Sequence, residues 1–490
     1  MGKWQWGGTA GRAETGPHMS PLERFPMAVR IRRLGSSVTL LLCGLTVCPT
    51  PATAQDDTIG GDGYVHVAPN GTVLGVDPYY PTDGNGGYDV SHYDVALSYD
   101  PAARFLSAKT VVTAVTTQRL SRFNLDLRGL TVSGVHVDGV PATFTRAKEH
   151  ELVVTPRTVL EEGATFTVTI VYCGRPQAEY TPRGWTGWRT SYTGGAFAAG
   201  APHSATTWFP VNDTTADKAT FRVTATVPRG WTVVSNGVRE PGSATTWVEN
   251  QPIAPSATMI GIDRYTVQES TAGDTPVLNA FAPGANAGPL AAKLPEVLGF
   301  LTGKLGPFPY SSTGGLYVPD RLGYAHPAQG RPVFGAGAGE SALVQAAAAQ
   351  WWGNKLAIKM WKDQPLPESF ARYLAWLWDE ERRGIAVEQR YQAAVRAADP
   401  AFWARKLSDP GKGREFSVSD KGVLMVHALR KHIGDEKFFA VLREFPEIND
   451  NWNQGWYDWE LYVAAVADMD LKPFFTAWVD GTTAPTGFLD

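Results

Sequence analysis

The chain has 490 residues, 43% hydrophobic, 11% aromatic and 19% charged, with a net charge of -4. That is enough apolar material for two or three packed domains and excludes a disordered chain. The mild charge, with no basic stripe, excludes a nucleic-acid partner, since phosphate neutralisation needs clustered Lys and Arg.

Residues 1 to 26 are polar, Gly-rich and patternless, and are expected to be an untranslated or disordered leader. From Met27 come Arg30, Arg32 and Arg33, then an apolar run from Leu34 to Val47, then Ala52-Thr53-Ala54 before Gln55. This is the pattern of a signal peptide over residues 27 to 54. The run falls short of the roughly 20 apolar residues a bilayer span requires, and no later stretch reaches that length. The mature protein is therefore expected to be secreted or extracytoplasmic, with no membrane span. A lipid anchor on Cys48 is the lesser alternative, because Val47 is bulky for the position before a lipobox cysteine. Cys43 and Cys48 lie inside the signal, which leaves Cys173 alone in the mature chain, so core packing rather than an internal disulfide is expected to hold it.

After a linker at 55 to 87, residues 88 to 275 alternate apolar and polar positions between turns. Tyr93, Val95, Leu97 and Tyr99 share one face, as do Phe166, Val168, Ile170 and Tyr172, the period of half-buried strands. Asp138-Gly139 marks a hairpin, since both positions tolerate positive φ. An antiparallel β domain is expected. Across 276 to 490 the period changes to three and four residues, predicting helices over 290–305, 341–352, 369–381, 387–398, 422–433 and 459–467, with one extended segment, GGLYVPD, before the second of them. The fold class is thus α+β and multidomain: an antiparallel β domain followed by a mainly helical one. His427 and His432 read as packing or surface residues of an ordinary helix, and Trp351, Trp352, Trp361, Trp376 and Trp378 as core.

The stretch QWWGNKLAIKMWKDQPLPESFARYLAWLWDEERRG resembles the aminopeptidase N family, the gluzincin metallopeptidases, whose helix reads HExxHQWxGN and whose third zinc ligand is a glutamate on the next helix. In that register Gln345 stands at the first histidine, Ala346 at the general base, Ala349 at the second histidine and Glu368 at the retained third ligand. LGYAHPAQGRPVF resembles the family's exopeptidase strand, with Ala325 where a glutamate grips the substrate's amino group. SVSDKGVLMVHALRKHIGDEKFF resembles the helix led by the oxyanion-stabilising tyrosine, a place taken here by Ser419. The segments DPYYPTDGNGGYDVSHYDVALSYDP and TTWFPVNDTTADKATF extend the likeness to compact bacterial members over residues 77 to 480, and the resemblance then implies a saddle-like β domain and a thermolysin-like helical domain.

What the resemblance implies is a family member stripped of its chemistry. Alanine has no donor atom and glutamine is a poor zinc ligand, whereas catalytic zinc takes three good protein ligands and a solvent. Loss of the base alone costs about 10²- to 10⁴-fold. No catalytic residue, no metal and no cofactor is therefore expected, and the chain reads as a pseudopeptidase whose vestigial cleft holds a peptide or a protein partner. Two alternatives stand beside it: an active zinc enzyme with the ligand set His326, Gln345 and Glu368, and a structural module with a filled cleft.

Overall fold

A computed structural model describes residues 77 to 489 apart from Glu149. The residues expected to be leader and signal peptide, and most of those expected to be linker, lie outside the described residues. Among the described residues no helix is long and apolar enough to cross a membrane.

The alternation read in the sequence becomes an eight-stranded sheet whose centre is Tyr88–Asp100 and Phe105–Thr116. Tyr93, Val95, Leu97 and Tyr99 all face the core, because a two-residue period puts every second side chain on one side. Phe105–Thr116 pairs antiparallel with Thr165–Gly174. On the other flank Tyr88–Asp100 pairs parallel with Ala219–Thr226, so one pairing departs from an antiparallel reading. The hairpin turn sits where expected: Val137 faces Val140, with Asp138 at φ 49° and Gly139 at φ 77°, the double positive φ of a type I′ turn. A five-stranded antiparallel sheet packs against the first and contains the hairpin Ala178–Thr181 and Gly184–Thr190. Cys173 is buried and disulfide-bonded, against the expectation of a lone thiol; its partner lies outside the described residues.

A third sheet starts the helical part. Thr266–Ala272 and Thr275–Phe281 form a hairpin, and Thr275–Phe281 then pairs parallel with Thr313–Tyr317. Around it lie the helices α1 (Leu294–Leu305), α2 (Glu340–Ala348), α3 (Pro365–Arg383), α4 (Val387–Ala397), α5 (Ser419–Ile433), α6 (Asp435–Ile448) and α7 (Trp456–Ala467). Their apolar faces share one core, with Trp351, Trp352, Phe370, Trp378, Trp459 and Trp478 at its centre. α2 stops at Ala348, short of the expected end at 352. α6 has no counterpart in the sequence reading.

The end of the stretch read as linker is anchored. Tyr79 and Tyr80 are buried; Tyr79 hydrogen-bonds Asp409 and Tyr80 donates to Glu415 at 2.5 Å. The Trp361 backbone N–H donates to Asp77 at 2.6 Å. Residues 77 to 87 thus form a strap whose start is fixed to the helical part and whose end is fixed to the β domain, where the Gly84 N–H donates to Asp126 and the Asn85 N–H to Asn212.

Candidate functional site

Two helices build the site. α3 opens on Pro365 and Pro367, tolerated in a first turn whose N–H groups have no helical acceptor, and it ends at Gly384, left-handed at φ 66°. Glu368 therefore sits in the first turn. α2 carries the alanine run and ends one residue before Ala349, its C-cap.

The residues after α2 explain why that setting persists. The Gln350 amide is fully used: its oxygen accepts from the Gly330 N–H (2.8 Å) and from Asn354 (3.2 Å), and its nitrogen donates to the carbonyls of Ala328 (3.2 Å) and Ala346 (3.0 Å). Asn354 also donates to the Pro327 carbonyl at 2.9 Å. These two amides pin the segment 325–330 to the end of α2. Trp352 donates to the Leu442 carbonyl at 3.1 Å and stacks on Phe370 with centroids 3.9 Å apart. Gly353, at φ 139°, has only 3.3 Å between a would-be Cβ and the Ala349 carbonyl. All of this is packing and hydrogen bonding, and none of it needs a metal.

Between the β domain and these helices lies a cavity of about 450 Å³. Gln345, Ala346, Ala349, Glu368 and Ala325 all line it, together with Arg183, Tyr324 and Arg372. Five of the positions singled out in the sequence are thus brought to one space. Ser419 is not among the lining residues; it starts α5, fully buried. Of the tryptophans read as core, Trp352 and Trp361 also form part of the wall.

The carboxylate at the third-ligand position already has a cation. Arg183 Nη1 lies 2.6 Å from Glu368 Oε1, both side chains largely buried. The guanidinium is sandwiched, 4.0 Å from the Tyr324 ring centroid and 4.5 Å from that of Phe416, contacts that favour a weakly hydrated planar cation. Gln364 adds a hydrogen bond to Glu368 at 3.3 Å. Gln345 turns its amide nitrogen to Ser341 Oγ at 3.0 Å. Ala346 and Ala349 offer methyl groups. One ion-paired carboxylate and one amide do not fit the donor set of a catalytic zinc.

His326 is fully buried and does not line the cavity. Its ring meets Tyr324 edge-on, with centroids 4.6 Å apart, and lies against Gly200, where a Cβ would come within 2.8 Å of Nδ1. Burial, helped by Arg183 and Arg189, pushes its pKa down to about 3, so it is a neutral imidazole. The convergence of His326, Gln345 and Glu368 on one space is not found. His427 is a buried relay between Tyr373 (2.9 Å) and Glu388 (2.8 Å), and His432 stacks on Phe474. The residue that sequence reasoning missed is Arg183. It sits in the turn between Ala178–Thr181 and Gly184–Thr190, and only the tertiary fold carries that turn to α3.

The family description "Peptidase M1 N-terminal domain" matches residues 90–253. No curated protein matches the chain in sequence. Among solved structures the chain is similar to the M1 zinc metallopeptidase from Deinococcus radiodurans, at 25% identity and TM-score 0.76, covering 84% of this chain and 97% of that one. A variant of that enzyme bound to a Tyr-Ser-Ala substrate gives the same identity and TM-score over 84% and 98%. A two-domain M1 zinc metallopeptidase variant bound to L-tryptophan matches equally well, at 25% identity and TM-score 0.76 over 84% and 98%. By its match over residues 90–253 and its architecture along most of its length, the chain carries the two-domain fold of the M1 zinc metallopeptidases, the aminopeptidase N family.

Proposed function

We propose that this protein is an exported pseudopeptidase: a member of the metallopeptidase fold family that takes a short peptide, or an extended segment of a partner protein, into its cleft without hydrolysing it. The observation that carries this reading is the Arg183–Glu368 ion pair at 2.6 Å. In a working site the carboxylate at that position faces a dication; here it faces a guanidinium, next to the methyl groups of Ala346 and Ala349. Hydrolysis at neutral pH requires a nucleophile, and neither a metal-activated water nor a general base has residues to hold it there.

Peptide binding is supported by the space itself. A cavity of about 450 Å³ falls within the roughly 300–1,000 Å³ typical of ligand sites, so the reading of a filled cleft is disfavoured. The similar structures hold a tripeptide substrate and a single amino acid, ligands of the size this cavity admits. Export rests on the pattern at residues 27 to 54. The test combines metal-dependent turnover and binding on the mature chain. Aminoacyl fluorogenic substrates are expected to stay intact, and immobilised tripeptides are expected to be retained. Chelator-sensitive turnover of those substrates would overturn the reading.

A further inference from the structure

Beside the cleft, and not among its lining residues, lies a second polar centre richer in metal-ligating atoms. Asp83, His203 and Asp213 are each more than nine-tenths buried, and one ligand atom from each lies within 4.8 Å of the others. His203 Nδ1 stands 2.7 Å from Asp83 Oδ2 and 3.5 Å from Asp213 Oδ2. Beyond these two ion-pair contacts the three atoms have no hydrogen-bond partner, and all three are sealed from solvent. Two buried carboxylates facing one imidazole need positive charge among them, which either a proton on His203 or a divalent cation supplies.

The surroundings hold these atoms in place. Asp83 Oδ1, the oxygen turned away, meets His150 Nε2 at 3.2 Å and Arg128 Nη2 at 3.4 Å. The Asp213 backbone N–H is fixed to Asp126 Oδ2 at 2.9 Å, and that same oxygen takes the Gly84 N–H at 3.1 Å. Outer partners that orient first ligands in this way are a general feature of metal centres.

We propose that Asp83, His203 and Asp213 form a structural site for a first-row divalent cation, of the zinc or manganese class. Two oxygens and one imidazole nitrogen are the borderline set such ions prefer, whereas calcium takes six to eight oxygens. Tetrahedral ligands at about 2.0–2.2 Å from zinc lie roughly 3.4 Å apart, so loading spreads the His203–Asp83 pair by about 0.7 Å and leaves the His203–Asp213 pair near its present 3.5 Å. The ion ties together three separate stretches: the strap through Asp83, the turn before Ala205–Thr207 through His203, and the segment after Val211 through Asp213. Because Tyr80 of the strap packs edge-on against Trp361, the brace stiffens one wall of the cleft.

The full secreted chain, stripped with chelator and dialysed against Zn²⁺, Mn²⁺ or Ca²⁺ in separate arms, tests the proposal by bound metal and thermal unfolding. The expected result is about one equivalent of Zn²⁺ or Mn²⁺ with Tm raised by about 5 °C or more, and no response to Ca²⁺. His203→Ala is expected to lose the ion and Glu368→Gln to keep it. If His203→Ala does not fold, Co²⁺ loading of the unmodified chain replaces it, with a visible d–d band that Zn²⁺ removes. No bound metal and an unmoved Tm would refute the brace while leaving the pseudopeptidase reading intact. Metal lost in Glu368→Gln but retained in His203→Ala would refute both.

Discussion

Arg183 and Glu368 decide what the cleft is, and their ion pair sets a quantitative expectation. The triple change Gln345→His, Ala346→Glu and Ala349→His restores the donor types of a zinc site, but Glu368 stays engaged at 2.6 Å, so zinc binding at the cleft is expected to be weak. Adding Arg183→Ala releases the carboxylate, and zinc affinity is expected to rise by about 10- to 100-fold, the range seen when the partners of a metal ligand change; isothermal titration on His203→Ala backgrounds isolates the cleft. A second residue sets a pH response. His326 ionises near pH 3 in the fold, by burial first and then by Arg183 and Arg189, against an ordinary 6.5. The unfolded chain therefore binds the extra proton throughout the window from 6.5 down to 3. Stability from this group is complete above pH 6.5 and falls as pH drops, by up to about 1.4 kcal/mol per unit. Urea unfolding from pH 7 to 5 is expected to show that slope, flattened in His326→Gln.

At the scale of elements, the strap at 77 to 87 and α2 carry the cleft walls. Tyr80 donates to Glu415, a fully buried carboxylate, at 2.5 Å, and burial together with that carboxylate pushes the phenol pKa up. Tyr80→Phe leaves Glu415 short of a donor in a dry place, an expected loss of about 1–3 kcal/mol read as a lower urea midpoint, with new proteolytic cuts confined to the strap. The elements also mark where sequence reading reaches and where it stops. α3 is legible over 369–381 because apolar residues recur every three to four positions, whereas Glu368, one position before that run, is singled out only by the family spacing. α6 has no place in the sequence reading although Phe438, Val441, Leu442 and Phe445 hold the same spacing. The parallel pairing of Tyr88–Asp100 with Ala219–Thr226 leaves no local trace, since a strand's period is the same whichever neighbour it takes.

For the whole molecule, the two cores are stitched together by buried polar contacts between residues distant in sequence. Lys218, from the β domain, donates to the carbonyls of Asn354 (2.8 Å) and Lys355 (2.9 Å), and Thr215 reaches the Lys359 carbonyl at 3.2 Å. Burial lowers the Lys218 pKa to about 8. Lys218→Met keeps the stem and removes the donors, and about 1–3 kcal/mol of stability is expected to be lost, with calorimetry resolving the β and helical parts as separate transitions if these contacts are what couples them.

The sequence alone determined the class of each part and the register that sets Gln345, Ala346, Ala349 and Glu368 against the family pattern. Periodicity is a local property, and that register rests on the spacing between the QWWGN stretch just after α2 and Glu368 in the first turn of α3. Tertiary structure decided what Glu368 meets. Arg183 reaches Glu368 across 185 positions of chain, and Asp83, His203 and Asp213 meet only after the strap folds back over the β domain. Pairings of that kind depend on how sheets and helices close in space, and charge neutralisation of a buried carboxylate can be met by any cation the fold delivers.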